Sequence, residues 1–292
     1  MTAFADVTAD DVRAAFDRRD YVADEDVVTS ALLALRLGKP LLVEGAPGAG
    51  KTELAKTLAA GFDAELVRLQ CYEGLAAENA LYEWNYTKQL LAVEGAGGTV
   101  AGDDSVFDEE YLLERPLLRA IRAADENDRP PVLLVDEVDR ADEAFEALLL
   151  EVLSDFQVSI PELGTVAAKT PPVVVLTSNR TRALSDALKR RCLYLHVGPP
   201  DVERETEIVR RKVPELDDAV AADVCGVVER LRERPLRKPP GVAETLDWAE
   251  ALAALDVADL DEATVRETLG CLLKDASDVE QVDEDVVADI LP

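Results

Sequence analysis

The residues Gly45-Ala46-Pro47-Gly48-Ala49-Gly50-Lys51-Thr52 carry the clearest chemistry in the chain. Glycines at this spacing let backbone N–H groups turn inward and approach phosphate oxygens closely. A helix beginning at Lys51 would aim its positive end at the same point. In that arrangement Lys51 reaches the β- and γ-phosphates of a nucleotide such as ATP, and the Thr52 hydroxyl binds Mg²⁺.

A second group follows in LLVDEVDR, where an apolar run ends in Asp136-Glu137. Asp136 can order the Mg²⁺ shell, and Glu137 can take a proton from an attacking water. Acidic pairs are common on a chain with 60 acidic residues. This one gains its meaning from following the phosphate motif at the end of a buried run. A third run, VVVLTSNR, ends in Asn179, which can hydrogen-bond a γ-phosphate and the lytic water. A fourth stretch, SDALKRRCLYLHV, presents Arg190 and Arg191 after a short helical pattern. An arginine at a subunit edge can neutralise transition-state charge on a neighbour's ATP. The same arginines would also suit a helix C-terminus; the order of the motifs favours the first role.

These groups need elements to hold them. Continuous apolar runs at Pro40–Glu44, Pro131–Asp136 and Pro172–Ser178 read as buried parallel strands, with shorter ones at Glu65–Leu69 and Leu193–Val197. Helical patterns lie between them, at Asp24–Leu37 (closed by Gly38), after Lys51, and at Tyr111–Ala124, Ala144–Leu153 and Leu184–Arg190. Strands alternating with helices predict an α/β core. After Gly198-Pro199-Pro200 no convincing strand remains. The division predicted is a nucleotide-binding α/β core over 1–198 and an all-helical lid over 199–292.

The order of these motifs resembles the AAA+ ATPases, and more closely their MoxR family. LLVEGAPGAGKTELAKTLA resembles that family's nucleotide-binding start, and DEVDRADEAFEALLLEVLSDFQVSI its DEINRA…ALLEAMEE…V pattern. LVRLQCYEGLAAENALYEWNYTKQLL and RKPPGVAETLDWAEAL are similar to the CoxD-like branch, the carbon-monoxide-dehydrogenase accessory type. The resemblance implies a P-loop core with a parallel sheet and a β-hairpin around Gln157–Val166. It also implies an inserted hairpin region over 71–100 and Mg²⁺-dependent ATP hydrolysis in a homo-oligomeric ring, a hexamer. A chaperone-like role on a protein complex or metalloenzyme, with a von Willebrand factor A-domain (VWA) partner, follows from it as well. Arg191 matches the Arg of the family's DRF motif and Arg190 replaces its Asp, so both stay candidates for the finger. Gln70 is a candidate coupling residue. Asp139 stands where the family has Asn. Many members carry Gly-x-Ser-Pro-Arg in the lid; here the stretch is Gly241-Val242-Ala243-Glu244-Thr245, leaving Arg237 or Lys238 as substitutes for the missing Arg.

Composition narrows the alternatives. The chain has 292 residues, 31 basic and 60 acidic, for a formal charge of −29, yet 48% are hydrophobic, enough for a core. No apolar run approaches the roughly 20 residues of a membrane span. MTAFADVTADDVRAAF lacks the features of a signal peptide, so a cytoplasmic protein is expected. The charge disfavours nucleic acid as a partner. A helicase-like motor is the alternative function, and a nucleotide-switched scaffold a third. Only nine of the basic residues are Lys, and the acids are spread along the chain, a pattern that suits high salt. Cys71, Cys192, Cys225 and Cys271 form no CxxC pair and read as small buried hydrophobes. A single histidine, His196, gives no zinc set. Tyr72, Tyr82, Trp84 and Tyr86 cluster beside Gly95-Ala96-Gly97-Gly98 and would either grip a protein segment or pack on their own subunit. Trp248 reads as core.

Overall fold

The apolar runs become strands because each is short, rich in Val and Leu, and bounded by residues that break regular structure. A computed structural model describes residues 3–95, 107–161 and 163–291. Its strands are β1 (Leu41–Gly45), β2 (Leu66–Gln70), β3 (Tyr82–Trp84), β4 (Leu112–Glu114), β5 (Val132–Asp136), β6 (Gln157–Ile160), β7 (Gly164–Ala167), β8 (Val173–Ser178) and β9 (Leu193–Val197). Five of them form one sheet in the order β2-β5-β8-β1-β9. β2 and β5, β5 and β8, and β8 and β1 pair in parallel, with Leu133 opposite Val174 and Leu41 opposite Val175. Every residue of β1, β5 and β8 is buried, which is why these runs show no alternation. β1 lies inside the sheet between β8 and β9, and the chain leaves its C-terminal end directly into the phosphate motif. In open α/β sheets such a position collects ligands.

The chain divides into two compact units. One comprises residues 1–15, 23–44 and 52–196; the other comprises 16–22, 45–51 and 197–292. The first holds the sheet, with a core that includes Leu118, Ile121, Leu133, Val135, Leu149 and Leu176. The second is helical, and Trp248 sits at 0% exposure in its core, donating its indole N–H to the Thr268 hydroxyl at 2.7 Å. The grouping of 16–22 with the C-terminal helices has a local cause. Arg211 pairs with Asp17 at 3.1 Å, and Lys212 and Arg204 donate to the backbone oxygens of Arg19 and Val22.

Two local expectations shift. The pattern at Tyr111–Ala124 splits into β4 and a helix over Pro116–Glu126, because Pro116 sits at the first helical position and forces Arg115 into extended backbone. In the region near 71–100 the described strand pairs beyond it. β3 pairs instead with β4, and Tyr86–Gly95 forms a helix whose start is capped where Asn85 Oδ1 accepts from the Lys88 N–H at 3.0 Å. Ala96, Gly97 and Gly98 lie outside the described residues. The hairpin expected around Gln157–Val166 forms as β6 and β7.

Candidate nucleotide site

Gly45 ends β1 with no room for a side chain: a Cβ there would lie 2.1 Å from the Val197 carbonyl oxygen. Gly48 and Gly50 take left-handed backbone, φ 77° and 81°. Together they bend Gly45 to Gly50 into a loop, and the helix Lys51–Gly61 starts where it ends. Lys51 is buried, and its ammonium donates to the carbonyl oxygens of Gly45 (3.0 Å) and Ala46 (2.7 Å). The loop thus folds around the lysine that serves it, with Pro47 and Ala49 completing the turn.

Thr52 Oγ1 donates to Asp136 Oδ1 at 3.0 Å, and Thr177 Oγ1 donates to the same oxygen at 2.5 Å. Asp136 ends β5 and is almost wholly buried. Its other oxygen, Oδ2, accepts from Arg68 Nη2 at 2.6 Å and Nε at 3.1 Å. A threonine hydroxyl beside a carboxylate fits Mg²⁺, a hard cation that takes few protein oxygens and fills its shell with phosphates and waters. Among the described residues no group of three or more His, Cys, Asp or Glu side chains could hold a metal by itself.

Glu137 follows with φ 55° and ψ 48°, a left-handed conformation that costs a residue with a Cβ about 1 kcal/mol or more. Its N–H donates to Thr177 Oγ1 at 2.9 Å, which fixes the turn. Its carboxylate is held on both oxygens. Gln70 Nε2 donates to Oε2 at 3.0 Å, and Asn179 Nδ2 donates to Oε1 at 3.2 Å. The end of β2, the end of β5 and the turn after β8 therefore converge on one carboxylate.

Asn179 is pinned from behind. Its N–H donates to Asp139 Oδ1 at 3.1 Å, and the Thr181 N–H and hydroxyl donate to Asp139 Oδ2 at 2.8 and 2.6 Å. Burial pushes the Asp139 carboxyl up, but these bonds outweigh it and hold the carboxyl below its ordinary value. Arg180, also left-handed at φ 60°, turns to the buried Glu44, whose Oε2 also accepts from Tyr194.

Arg190 and Arg191 end the helix Asp186–Arg191, and both are exposed. Arg191 donates to the Leu150 carbonyl oxygen at 2.7 Å; the Arg190 side chain makes no hydrogen bond or ion pair with the described residues. Neither converges on the carboxylates. Arg237 and Lys238 are exposed, and it is their backbone N–H groups that bind the buried Asp278, at 2.9 Å each. Gly241 approaches the phosphate loop instead: a Cβ on Gly241 would lie 3.2 Å from the Pro47 carbonyl oxygen and 3.5 Å from Gly48 Cα.

Arg68 and Thr177 are site residues that motif reading does not reach. The only trace of Arg68 is a polar residue in a strand that alternates exposed and buried positions. Cys71 and Cys225 are buried, Cys192 and Cys271 half-buried, and all are free thiols. His196 is exposed on β9.

Residues 40–192 match the AAA domain of the dynein-related subfamily. The chain belongs to this AAA family. An uncharacterized protein of Staphylococcus haemolyticus is 25% identical to it over 251 residues, 83% of this chain and 86% of that protein. Gas vesicle ATPase GvpN2 of Halobacterium salinarum is 27% identical over 270 residues, 88% of this chain and 75% of that one. Among solved structures, the Thermotoga maritima RuvB Holliday junction branch migration motor superposes with a TM-score of 0.51 at 20% identity, covering 94% of this chain and 75% of its own. A mutant of the same motor gives 0.52 at 19%, covering 91% and 73%. At that identity the likeness is one of fold: a parallel five-stranded sheet with helices, followed by a helical region. Membership of the AAA family implies nucleotide and Mg²⁺ use. No helix of the described residues is long and apolar enough to cross a membrane.

Proposed function

We propose that the chain hydrolyses ATP with Mg²⁺ and spends the cycle on remodelling or maturing a protein complex or metalloenzyme. The observation that carries the reading is the convergence of Gln70 and Asn179 on Glu137, one residue from an Asp136 bonded to Thr52. Gly45 to Gly50 supply backbone donors for the phosphates, and Lys51 adds a positive charge. Mg²⁺, when bound with the nucleotide, would supply positive charge against the charge that develops on the phosphates. Thr52 and Asp136 would hold it. Glu137 accepts a proton from water as the water oxygen bonds to the γ-phosphorus and the bond to the β-phosphate oxygen breaks. Asn179 orients both Glu137 and the γ-phosphate. Glu137→Gln should lower ATP turnover by at least about a hundredfold, since general-base catalysis contributes 10²–10⁴. Binding of a fluorescent ATP analogue should stay intact. Normal phosphate release by that variant would refute the assignment of the base.

The active form is a homo-oligomeric ring, a hexamer, in which Arg191 or Arg190 reaches a neighbour's nucleotide; both arginines are exposed at a helix end. The finer placement is the MoxR family and its CoxD-like branch, in the cytoplasm, with a VWA-domain partner. Similarity to a gas vesicle ATPase supports work on a protein assembly. A nucleic-acid motor is the competing class, opposed by a formal charge of −29. ATPase stimulation by DNA, set against stimulation by a co-purifying protein, separates the two.

A further inference from the structure

Asp136 is a nearly buried carboxylate, and Arg68, whose side chain is 49% exposed, forms an ion pair with it. The guanidinium takes Oδ2 with two of its nitrogens, while Thr52 and Thr177 take Oδ1. All four groups lie in the sheet-bearing unit. Asp136 is also the acid that the nucleotide reading gives to Mg²⁺. A guanidinium and a divalent cation cannot share one carboxylate oxygen without strong like-charge repulsion.

We propose that Arg68 is a placeholder cation for the metal. It neutralises Asp136 when no metal–nucleotide is held, and it must leave Oδ2 when the metal arrives. This rests on the ATPase reading above. Two features fit such a role. Burying Asp136 without a partner charge is costly, so a resident cation stabilises the metal-free protein. The arginine is only half-buried, so it can swing into water at small cost. The same Nη2 also donates to Gln70 Oε1 at 2.6 Å, and Gln70 holds Glu137. Departure of Arg68 therefore also frees the residue that grips the proposed base. Arg68 is a positioning residue in this scheme, and it sets how much metal the site requires.

The test is Mn²⁺ binding to the full chain with ADP, read from the EPR signal of free Mn²⁺, together with thermal melting in EDTA. Arg68→Gln removes the charge and keeps polar atoms near Gln70; Arg68→Lys keeps a charge. We expect R68Q to bind Mn²⁺–ADP about fivefold more tightly than the native chain, the scale of one partly exposed ion pair. R68K should stay close to native. R68Q should melt earlier in EDTA, with the difference closing in Mn²⁺–ADP. Unchanged or weaker Mn²⁺ binding by R68Q would overturn the proposal, because it would make Arg68 a bystander or a nucleotide ligand. Should R68Q not fold, Arg68→Met, which also removes the charge, decides by the same reading: tighter Mn²⁺–ADP binding supports the proposal, and unchanged or weaker binding overturns it. A native chain that binds no Mn²⁺–ADP would bring down the nucleotide reading first, and this proposal with it.

Discussion

Asp139 shows how one side chain places a site it does not enter. Three donors from the turn after β8 end on its two oxygens, so Asn179 arrives at Glu137 with its backbone already fixed. An Asn in this place, as the family resemblance implies, would accept on one oxygen alone; the carboxylate here serves both Asn179 and Thr181. The same cluster of acids adds to the effect of burial on Cys71. Burial, then the charges of Asp136, Asp139 and Glu137, push its thiol up to about 12. Burial likewise raises Cys192 to about 12 and Cys225 to about 11. Only the thiolate is a nucleophile, so these three thiols should resist iodoacetamide near pH 8 in the folded chain. Peptide mass mapping after a short pulse should find them unmodified, and fully modified once urea is added. Rapid labelling of Cys71 in the folded chain would contradict the burial described here.

At the scale of elements, Glu146 decides where the helix Asp186–Arg191 begins. It is buried in the helix Glu143–Asp155, accepts from Arg182 Nη2 at 2.5 Å and from the Ser185 N–H at 2.9 Å, and so anchors the chain just before the arginine pair. Burial pushes its carboxyl up, but Ser185 and Arg182 outweigh this and hold it below its ordinary value. A carboxylate lowered in the folded state stabilises fully above its unfolded pKa, about 4.3. That contribution is lost as pH falls through the lower folded value. Glu146→Gln should therefore cost about 1–2 kcal/mol at neutral pH, with a shallower loss of stability between about pH 5 and pH 2. Urea midpoints measured across that range check both. An identical pH slope in the variant would show that other carboxylates govern the acid limb.

For the whole molecule, the exposed arginines and the charge make separate claims. If Arg191 acts on a neighbour, Arg191→Ala chains and Lys51→Ala chains should each be inactive, and mixing them should restore part of the ATPase activity. Mixed assemblies contain junctions with an intact loop on one side and an intact arginine on the other. No rescue at any ratio, with mixed assembly verified, would count against a finger acting in trans. If Arg190 acts instead, its variant gives the rescue and that of Arg191 stays active by itself. The charge of −29 bears on assembly as well, because like-charged surfaces repel until salt screens them. The melting temperature should rise between about 0.1 M and about 2 M KCl, and light scattering should show oligomers growing with salt or Mg²⁺–ATP. A melt independent of salt would remove the case for salt adaptation.

Much of the core was legible in the sequence because its signals are local. A phosphate loop needs glycines at fixed spacing, and a strand buried on both faces needs an unbroken apolar run, so Gly45 to Thr52 and β1, β5 and β8 can be read along the chain. The helical character after Pro200 reads in the same way. What sequence alone left open depends on which strands lie side by side. Arg68 and Asp136 are far apart in the chain, and only the parallel pairing of β2 with β5 puts a guanidinium on that carboxylate. Thr177 is one more polar residue in VVVLTS until β8 comes to lie beside β5. The pairing of β3 with β4 is not legible because the second strand lies beyond residue 100, and proline at 116 acts on a boundary that helical spacing ignores. Residue types and spacing thus determined which chemistry this chain can support. Tertiary structure decided which charges face it, since long-range pairing leaves no periodic trace.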